Sequence, residues 1–98
     1  MSDVQPLAIG SDTWPGLAKI AEEAGEVIQV IGKLMAFPDA VYPDGTDLKW
    51  ALTNELGDLK AAIEYAVKQN GLQGPVRERM AEKRGRFRRW HSQERGNG

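Results

Sequence analysis

The chain has 98 residues, of which 41% are hydrophobic and 28% charged, and a formal net charge of −1. This length supports one small domain with a single core, and the absence of cysteine excludes disulfides, thiolate metal sites and cysteine nucleophiles. No apolar run reaches membrane-spanning length, and the first residues lack the pattern of a secretory signal. We therefore expect a single cytoplasmic domain over residues 1–98 with no membrane partner.

The first predicted helix follows Asp12 and Thr13, which are suited to cap it, and its first turn accommodates Pro15. Apolar residues recur at helical spacing until Phe37-Pro38, where the residue before proline disfavours the helical conformation. These residues are Leu17, Ile20, Ala21, Ala24, Val27, Ile28, Ile31, Leu34 and Met35. The pattern predicts a long amphipathic helix with one face in the core.

A loop and a second helix follow. Residues 38–46 contain Pro43-Asp44-Gly45, which is typical of a turn. The next helix is predicted to begin near Thr46 or Asp47 and to end near residue 69, because Asn70-Gly71 is a natural stop. Its apolar stripe consists of Leu48, Leu52, Leu56, Leu59, Ile63 and Ala66.

A third, shorter helix is predicted from Pro75 to residues 88–90, with frayed residues beyond it. No strand pattern is present, so the predicted fold class is all-α, with two long antiparallel helices and a shorter C-terminal helix over about residues 13–90. Three such helices form a thin bundle. Pairing with a second copy into a four-helix arrangement would bury the apolar stripes better, and we expect a homodimer or homotetramer.

Each long helix also carries an acidic cluster, Glu22-Glu23-x-x-Glu26 on the first and Glu55-x-x-Asp58 on the second. Residues three or four apart share a helix face, and like charges at this spacing repel each other. A hard divalent cation offsets that repulsion and prefers carboxylate oxygens. Glu55 lies about 60° from the centre of the apolar stripe, between the small residues Ala51 and Ala62. The pattern predicts a Mg²⁺ site inside the bundle, with Mn²⁺ as a possible substitute.

The alternative is that these are surface acids paired with Lys19, Lys60 or Lys68. Two clusters with few basic residues nearby favour the metal site over this alternative. The only histidine, His91, lies in the predicted frayed end, and no phosphate-binding glycine loop of the G-x-x-x-x-G-K-[ST] type is present. Metal ions can instead clamp phosphate oxygens and lower the pKa of a bound water.

The two clusters resemble the E-E-x-x-E…E-x-x-D signature of the MazG-like all-α nucleotide pyrophosphohydrolases. Glu22-Glu23-Ala24-Gly25-Glu26 is followed, after 28 residues, by Glu55-Leu56-Gly57-Asp58. The resemblance covers about residues 13–90. It implies Mg²⁺-dependent hydrolysis of a nucleoside triphosphate, (d)NTP, to the monophosphate and pyrophosphate, with phosphoribosyl-ATP as an alternative substrate.

The resemblance also implies roles for single residues. Four carboxylates would be the metal ligands, and Glu22 would support a further ion or orient the attacking water. The four are Glu23, Glu26, Glu55 and Asp58. Lys33, two turns beyond Glu26 on the same face, matches a lysine that lies near the substrate phosphates in relatives, although an exposed helix-end lysine is an equal alternative.

Other substrate contacts are predicted outside the acidic clusters. Lys83-x-x-Arg86-Phe87 resembles a pattern that follows the third helix in relatives, and we expect Lys83 and Arg86 to contact phosphate. Trp14 and Trp50 begin the two long helices, where each can stack on a base or wedge the helix ends together.

The charge is divided unevenly along the chain. Residues 1–76 contain eleven acidic and five basic side chains, and residues 77–98 contain three acidic and eight basic ones. The basic end favours a phosphate-bearing partner or a solvated tail. Nucleic acid is disfavoured, because the acidic remainder would repel its backbone. The rival function of a different class is a non-catalytic helical oligomer that binds a metal, a nucleotide or a partner protein.

Overall fold

In a computed structural model, the described part of the chain, residues 13–97, consists of three helices and contains no strand. They are α1 (Leu17–Ala36), α2 (Leu48–Gln69) and α3 (Gln73–Asn97). The predicted all-α class is confirmed. None of the described helices combines the length and the apolar character that crossing a membrane would require.

The start of α1 lies at Gly16 and not at the predicted Thr13. Asp12 lies outside the described residues, Thr13 lies in a turn, and Gly16 precedes the helix in a left-handed conformation with φ 88°. A Cβ atom on Gly16 would lie 2.9 Å from Cδ2 of Tyr65 and 3.2 Å from Cβ of Ala66. The helix therefore begins where the backbone passes closest to α2, and only glycine fits there.

Replacing Gly16 with alanine is expected to lower the free energy of unfolding by about 2 to 3 kcal/mol, because the added methyl group is strained at positive φ and clashes with α2. Chemical denaturation measures this change. Gly32→Ala is the matched control, since a Cβ at Gly32 has no neighbour within 4 Å. That change in a helix interior should raise the stability by about 0.5 to 1 kcal/mol. Equal effects of the two substitutions would contradict the close approach at Gly16.

The helices α1 and α2 are antiparallel and are joined at both ends. At one end the Asn70 side-chain amide donates a hydrogen bond to the carbonyl of Pro15 at 3.0 Å. At the other end the backbone N–H of Leu48 donates to the carbonyl of Ala40 at 2.9 Å. The Asp47 carboxylate accepts hydrogen bonds from the two N–H groups that follow Leu48. This cap confirms the predicted start of α2.

The core of the helix pair is small. Its buried apolar residues are Val27, Val30, Leu48, Ala62 and Ala66. The remaining members of the predicted stripes are not all covered, because two helices in contact bury only one line of residues on each. Ile28 and Met35, for example, are 69% and 80% exposed.

These uncovered residues face one side of the pair. Ile28 lies about 140° from Glu23 on α1, and Leu56 lies about 100° from Glu55 on α2, in the same rotational sense. On antiparallel helices, rotations in the same sense away from the line where the two helices touch lead to the same side of the pair. We call this the apolar side; it carries Ile28, Ile31, Met35, Leu56 and Ile63, all of which are exposed.

The third helix differs from its prediction. It is 25 residues long and reaches Asn97, so the expectation of a shorter helix ending at residues 88–90 is wrong. Residues 77–94 are rich in arginine, glutamate and other good helix formers, which continue the helix without a packed face. Close to the turn, α2 and α3 enclose a groove of about 580 Å³ whose lining includes Ile63, Val67, Val76 and Met80. Helix α3 therefore flanks the apolar side.

Candidate metal centre

Three of the predicted ligands meet in the structure. Glu23 of α1 and Glu55 and Asp58 of α2 each offer a carboxylate oxygen, and these oxygens all lie within 4.8 Å of one another. Glu55 is half-buried, Asp58 is exposed, and the Glu23 side chain is 14% exposed. We call these three residues the acidic cluster. Residues far apart in the sequence thus meet because the two helices are antiparallel.

Both glutamates of the cluster lie on the line where the two helices touch. Val27 is about 40° from Glu23 around α1, and Ala62 and Ala66 are each about 20° from Glu55 around α2; these three apolar residues are buried. The expected offset of about 60° between Glu55 and the apolar stripe is therefore too large. The predicted stripe included Leu56 and Ile63 of the apolar side, which drew the centre of the stripe away from the true contact line.

The electrostatics at Glu55 are those of a carboxylate surrounded by negative neighbours. Partial burial raises the pKa of Glu55, and the negative charges of Glu26, Asp58 and Glu23 raise it further, in that order. No basic group contributes to the shift. Two carboxylates close to a half-buried third destabilise its ionised form, so a bound cation would relieve a repulsion already present in the fold.

Glu26, the fourth predicted ligand, lies beside the cluster and outside it. It is exposed, and its charge acts on Glu55. Glu26 is rotated about 60° from Glu23 around α1, and Asp58 is rotated about 60° from Glu55 around α2. Both rotations are in the direction opposite to the apolar side. We call this the acidic side of the pair. The cluster therefore opens to solvent away from the apolar residues.

Glu22 pairs with Lys19 and is not part of the acidic cluster. The Lys19 ammonium lies 2.5 Å from Oε1 of Glu22 and 3.4 Å from Oε2 of Glu23, and hydrogen bonding, chiefly to Glu22, raises the pKa of Lys19. The surface ion pair considered as an alternative is thus formed by Lys19. Among the side chains of residues 13–94, Lys60 and Lys68 form no ion pair with the acidic residues of α1 or α2.

The raised pKa of Glu55 predicts a pH dependence of stability in EDTA. The native state holds the Glu55 proton more tightly than the unfolded chain, whose pKa is near 4.5, so Glu55 makes the fold less stable as the pH rises from 4.5 through its native pKa. The stability difference between Glu55→Gln and the original chain should grow across this window in favour of the variant. Urea denaturation at several pH values measures it, and a difference independent of pH would contradict the prediction.

The predicted phosphate ligand Lys33 lies on the acidic side, about 20° from Glu26 around α1 and about 10 Å further along the helix. Its Nζ atom lies 4.7 Å from the centre of the Tyr42 ring, in the loop between α1 and α2. The sequence prediction missed Tyr42. In this loop the sequence signals Tyr42 only as an aromatic residue before Pro43, and helical periodicity does not detect such a residue.

The two tryptophans predicted to contact the substrate, Trp14 and Trp50, lie at opposite ends of the helix pair. Trp50 is in the first turn of α2, at the end where Lys33 and Tyr42 lie, and is 65% exposed. Trp14 precedes α1, at the end where Pro15 meets Asn70. The structure therefore places Trp50, and not Trp14, at the same end as the predicted phosphate ligand.

Lys83 and Arg86 are not brought to the acidic cluster within one chain. The groove that α3 forms with α2 is on the face of Ile63 and Val67, about 80° and 120° from Glu55 on the apolar side. Within residues 13–94, neither basic side chain makes an ion pair. Their contact with phosphate stays a prediction.

Comparison of the chain with models of protein families, with characterised proteins and with solved structures finds no match. The geometry of the acidic cluster and its agreement with the sequence signature are therefore the observations on which a function can be argued.

Proposed function

We propose that this chain is a Mg²⁺-dependent nucleotide pyrophosphohydrolase that converts a cytoplasmic (d)NTP and water to the (d)NMP and pyrophosphate. One observation carries the proposal. The carboxylates of Glu23, Glu55 and Asp58, which the signature names as ligands, converge from two helices to within 4.8 Å. The reaction itself is taken from the resemblance of the two acidic motifs to those of the MazG-like enzymes.

The residues present fit a hard divalent cation. The donors are all carboxylate oxygens, which Mg²⁺ prefers to nitrogen or sulfur ligands. Lys19 is the one basic side chain in an ion pair with the described cluster, and it reaches only Glu23. A half-buried glutamate with three negative neighbours is unfavourable in a fold unless a cation offsets it.

In the proposed mechanism the chain positions the substrate and removes charge. Glu23, Glu55 and Asp58 would hold the ion, which when bound neutralises phosphate oxygens and makes water a better nucleophile. Glu26, which is exposed and whose charge acts on Glu55, would accept a hydrogen bond from the attacking water. Glu22, tied to Lys19, is less suited to that role than its sequence position implies.

We assign the rest of the substrate to the acidic side. Lys33 is about 10 Å along α1 from Glu26, a distance that an extended triphosphate and a lysine side chain can bridge together. Trp50 lies at the same end with an exposed ring that can stack on a base. Lys83 and Arg86 would contact only the phosphates bound by another copy in an oligomer, because α3 lies on the apolar side of its own helix pair.

We also propose that a second copy covers the apolar side and completes a four-helix arrangement, in a homodimer or homotetramer. The support is the row of exposed apolar residues on both helices and the thinness of the chain, whose Cα atoms span 53 × 40 × 15 Å.

The test is pyrophosphate release from a panel of canonical and modified NTPs and dNTPs and from phosphoribosyl-ATP, with Mg²⁺ and with EDTA. The expected result is Mg²⁺-dependent release from one class of substrate, with the nucleoside monophosphate as the second product. Release from phosphoribosyl-ATP alone would establish the alternative substrate. Binding of Mg²⁺ by a folded protein without any release would instead establish the non-catalytic oligomer.

A further inference from the structure

The loop between α1 and α2 holds the Tyr42 ring in a defined place. The backbone N–H of Tyr42 donates to the carbonyl of Thr46 at 3.0 Å, and its own carbonyl accepts from the N–H of Gly45 at 2.8 Å. The Asp44 carboxylate accepts from both the N–H and the hydroxyl of Thr46. These bonds close a tight turn, so the ring has little freedom to move with the backbone.

The aromatic ring of Phe37 supports Tyr42 from the end of α1. The two ring centres are 5.3 Å apart and the planes are inclined at 78°, an edge-to-face arrangement. Both residues are half-buried. The face of the Tyr42 ring is therefore fixed from two directions, by the turn and by Phe37.

The ammonium group of Lys33 lies over this face of the Tyr42 ring. It is 4.7 Å from the centre of the ring, within the range of a cation–π interaction. The charge of Lys33 also helps to hold the pKa of Asp44 below its usual range, after the larger effect of the two Thr46 hydrogen bonds. Among the described side chains Lys33 forms no ion pair, so its N–H donors stay available to an anion.

We propose that Tyr42 is a positioning residue that holds the Lys33 ammonium in place to bind the phosphate chain of the substrate. This inference rests on the proposed function, since it assigns a phosphate ligand to the same acidic side. An unheld lysine loses side-chain entropy when it binds an anion, and a lysine already placed over a ring loses less. Tyr42 thus acts through Lys33 and does not touch the reacting atoms.

The test measures the affinity of the full chain for inorganic tripolyphosphate in Mg²⁺ by titration calorimetry. Tyr42→Leu should weaken binding about threefold to fivefold, the effect of losing an exposed cation–π contact, and Tyr42→Phe should stay within about twofold of the original chain. Lys33→Met should weaken binding about tenfold, and adding Tyr42→Leu to it should cause no further loss. A merely structural role for Tyr42 would give additive effects in this double-mutant cycle.

A second series keeps the test valid if Tyr42→Leu fails to fold. Phenylalanines with increasing ring fluorination at position 42 keep the shape of the ring but weaken its negative face, and affinity should fall along the series. Constant affinity along it, or additive effects in the cycle, would overturn the inference. Coupled binding without hydrolysis of any nucleotide would leave the inference standing and reject the proposed activity, and hydrolysis without coupling would do the opposite.

Discussion

Glu55→Gln is expected to reduce Mg²⁺-dependent pyrophosphate release at least about 10³-fold, which corresponds to ~4 kcal/mol of transition-state stabilisation. Glu55 lies at the centre of the acidic cluster, with Glu23 and Asp58 around it. Glutamine keeps the size of the side chain but is neutral, so it removes one of the three charges that would hold the ion. Steady-state kinetics at saturating Mg²⁺ measures the loss.

The fold should survive this substitution, which separates a chemical effect from a structural one. The raised pKa of Glu55 shows that its ionised form is disfavoured, so the neutral variant should be at least as stable as the original chain in EDTA. Glu64→Gln is the matched control, because Glu64 is exposed on the same helix about 180° from Glu55. Full activity of the Glu55 variant would contradict the ligand assignment.

The double substitution Ile28→Asp with Met35→Asp is expected to convert the proposed oligomer to a monomer of 10.8 kDa. Both residues are among the most exposed apolar side chains of the chain, so the charges should not disturb the helix pair itself. At an apolar interface, by contrast, two buried carboxylates lack partners. We expect the dissociation constant to rise at least about 100-fold, or ~2.7 kcal/mol.

Analytical ultracentrifugation checks the mass, and circular dichroism checks that the helices remain. Gln29→Asp is the control, because Gln29 is exposed on α1 about 100° from Ile28, away from the apolar side. It should leave the mass of the oligomer unchanged. A monomeric original chain, or an oligomer that withstands both aspartates, would show that the apolar side is not the contact between copies.

Local signals in the sequence predicted much of this fold. The start of α2 was predictable because Asp47 caps it through two hydrogen bonds that involve only the next few residues. That Glu55 and Asp58 share a helix face was predictable because spacing along a helix fixes which residues project together. The same spacing pairs Glu23 with Glu26, and the packing of the two helices decides that only Glu23 joins the cluster.

What the sequence could not predict depends on contacts between elements. Gly16 begins α1 because Tyr65 and Ala66 leave no space for a side chain, and no local pattern shows that approach. The angular position of Glu55 was misjudged because a hydrophobic stripe does not reveal which of its residues face α2. The cation–π pair of Lys33 and Tyr42 joins a helix to a loop, where no period applies.

The most direct test of the central claim is binding of Mn²⁺, as a paramagnetic substitute for Mg²⁺, followed by electron paramagnetic resonance. The original chain and Glu64→Gln should bind the ion with equal affinity, and Glu55→Gln and Glu23→Gln should each lose most of it. Unchanged affinity in both cluster variants would show that the acidic cluster is not the metal site, and the proposed activity would lose its structural basis.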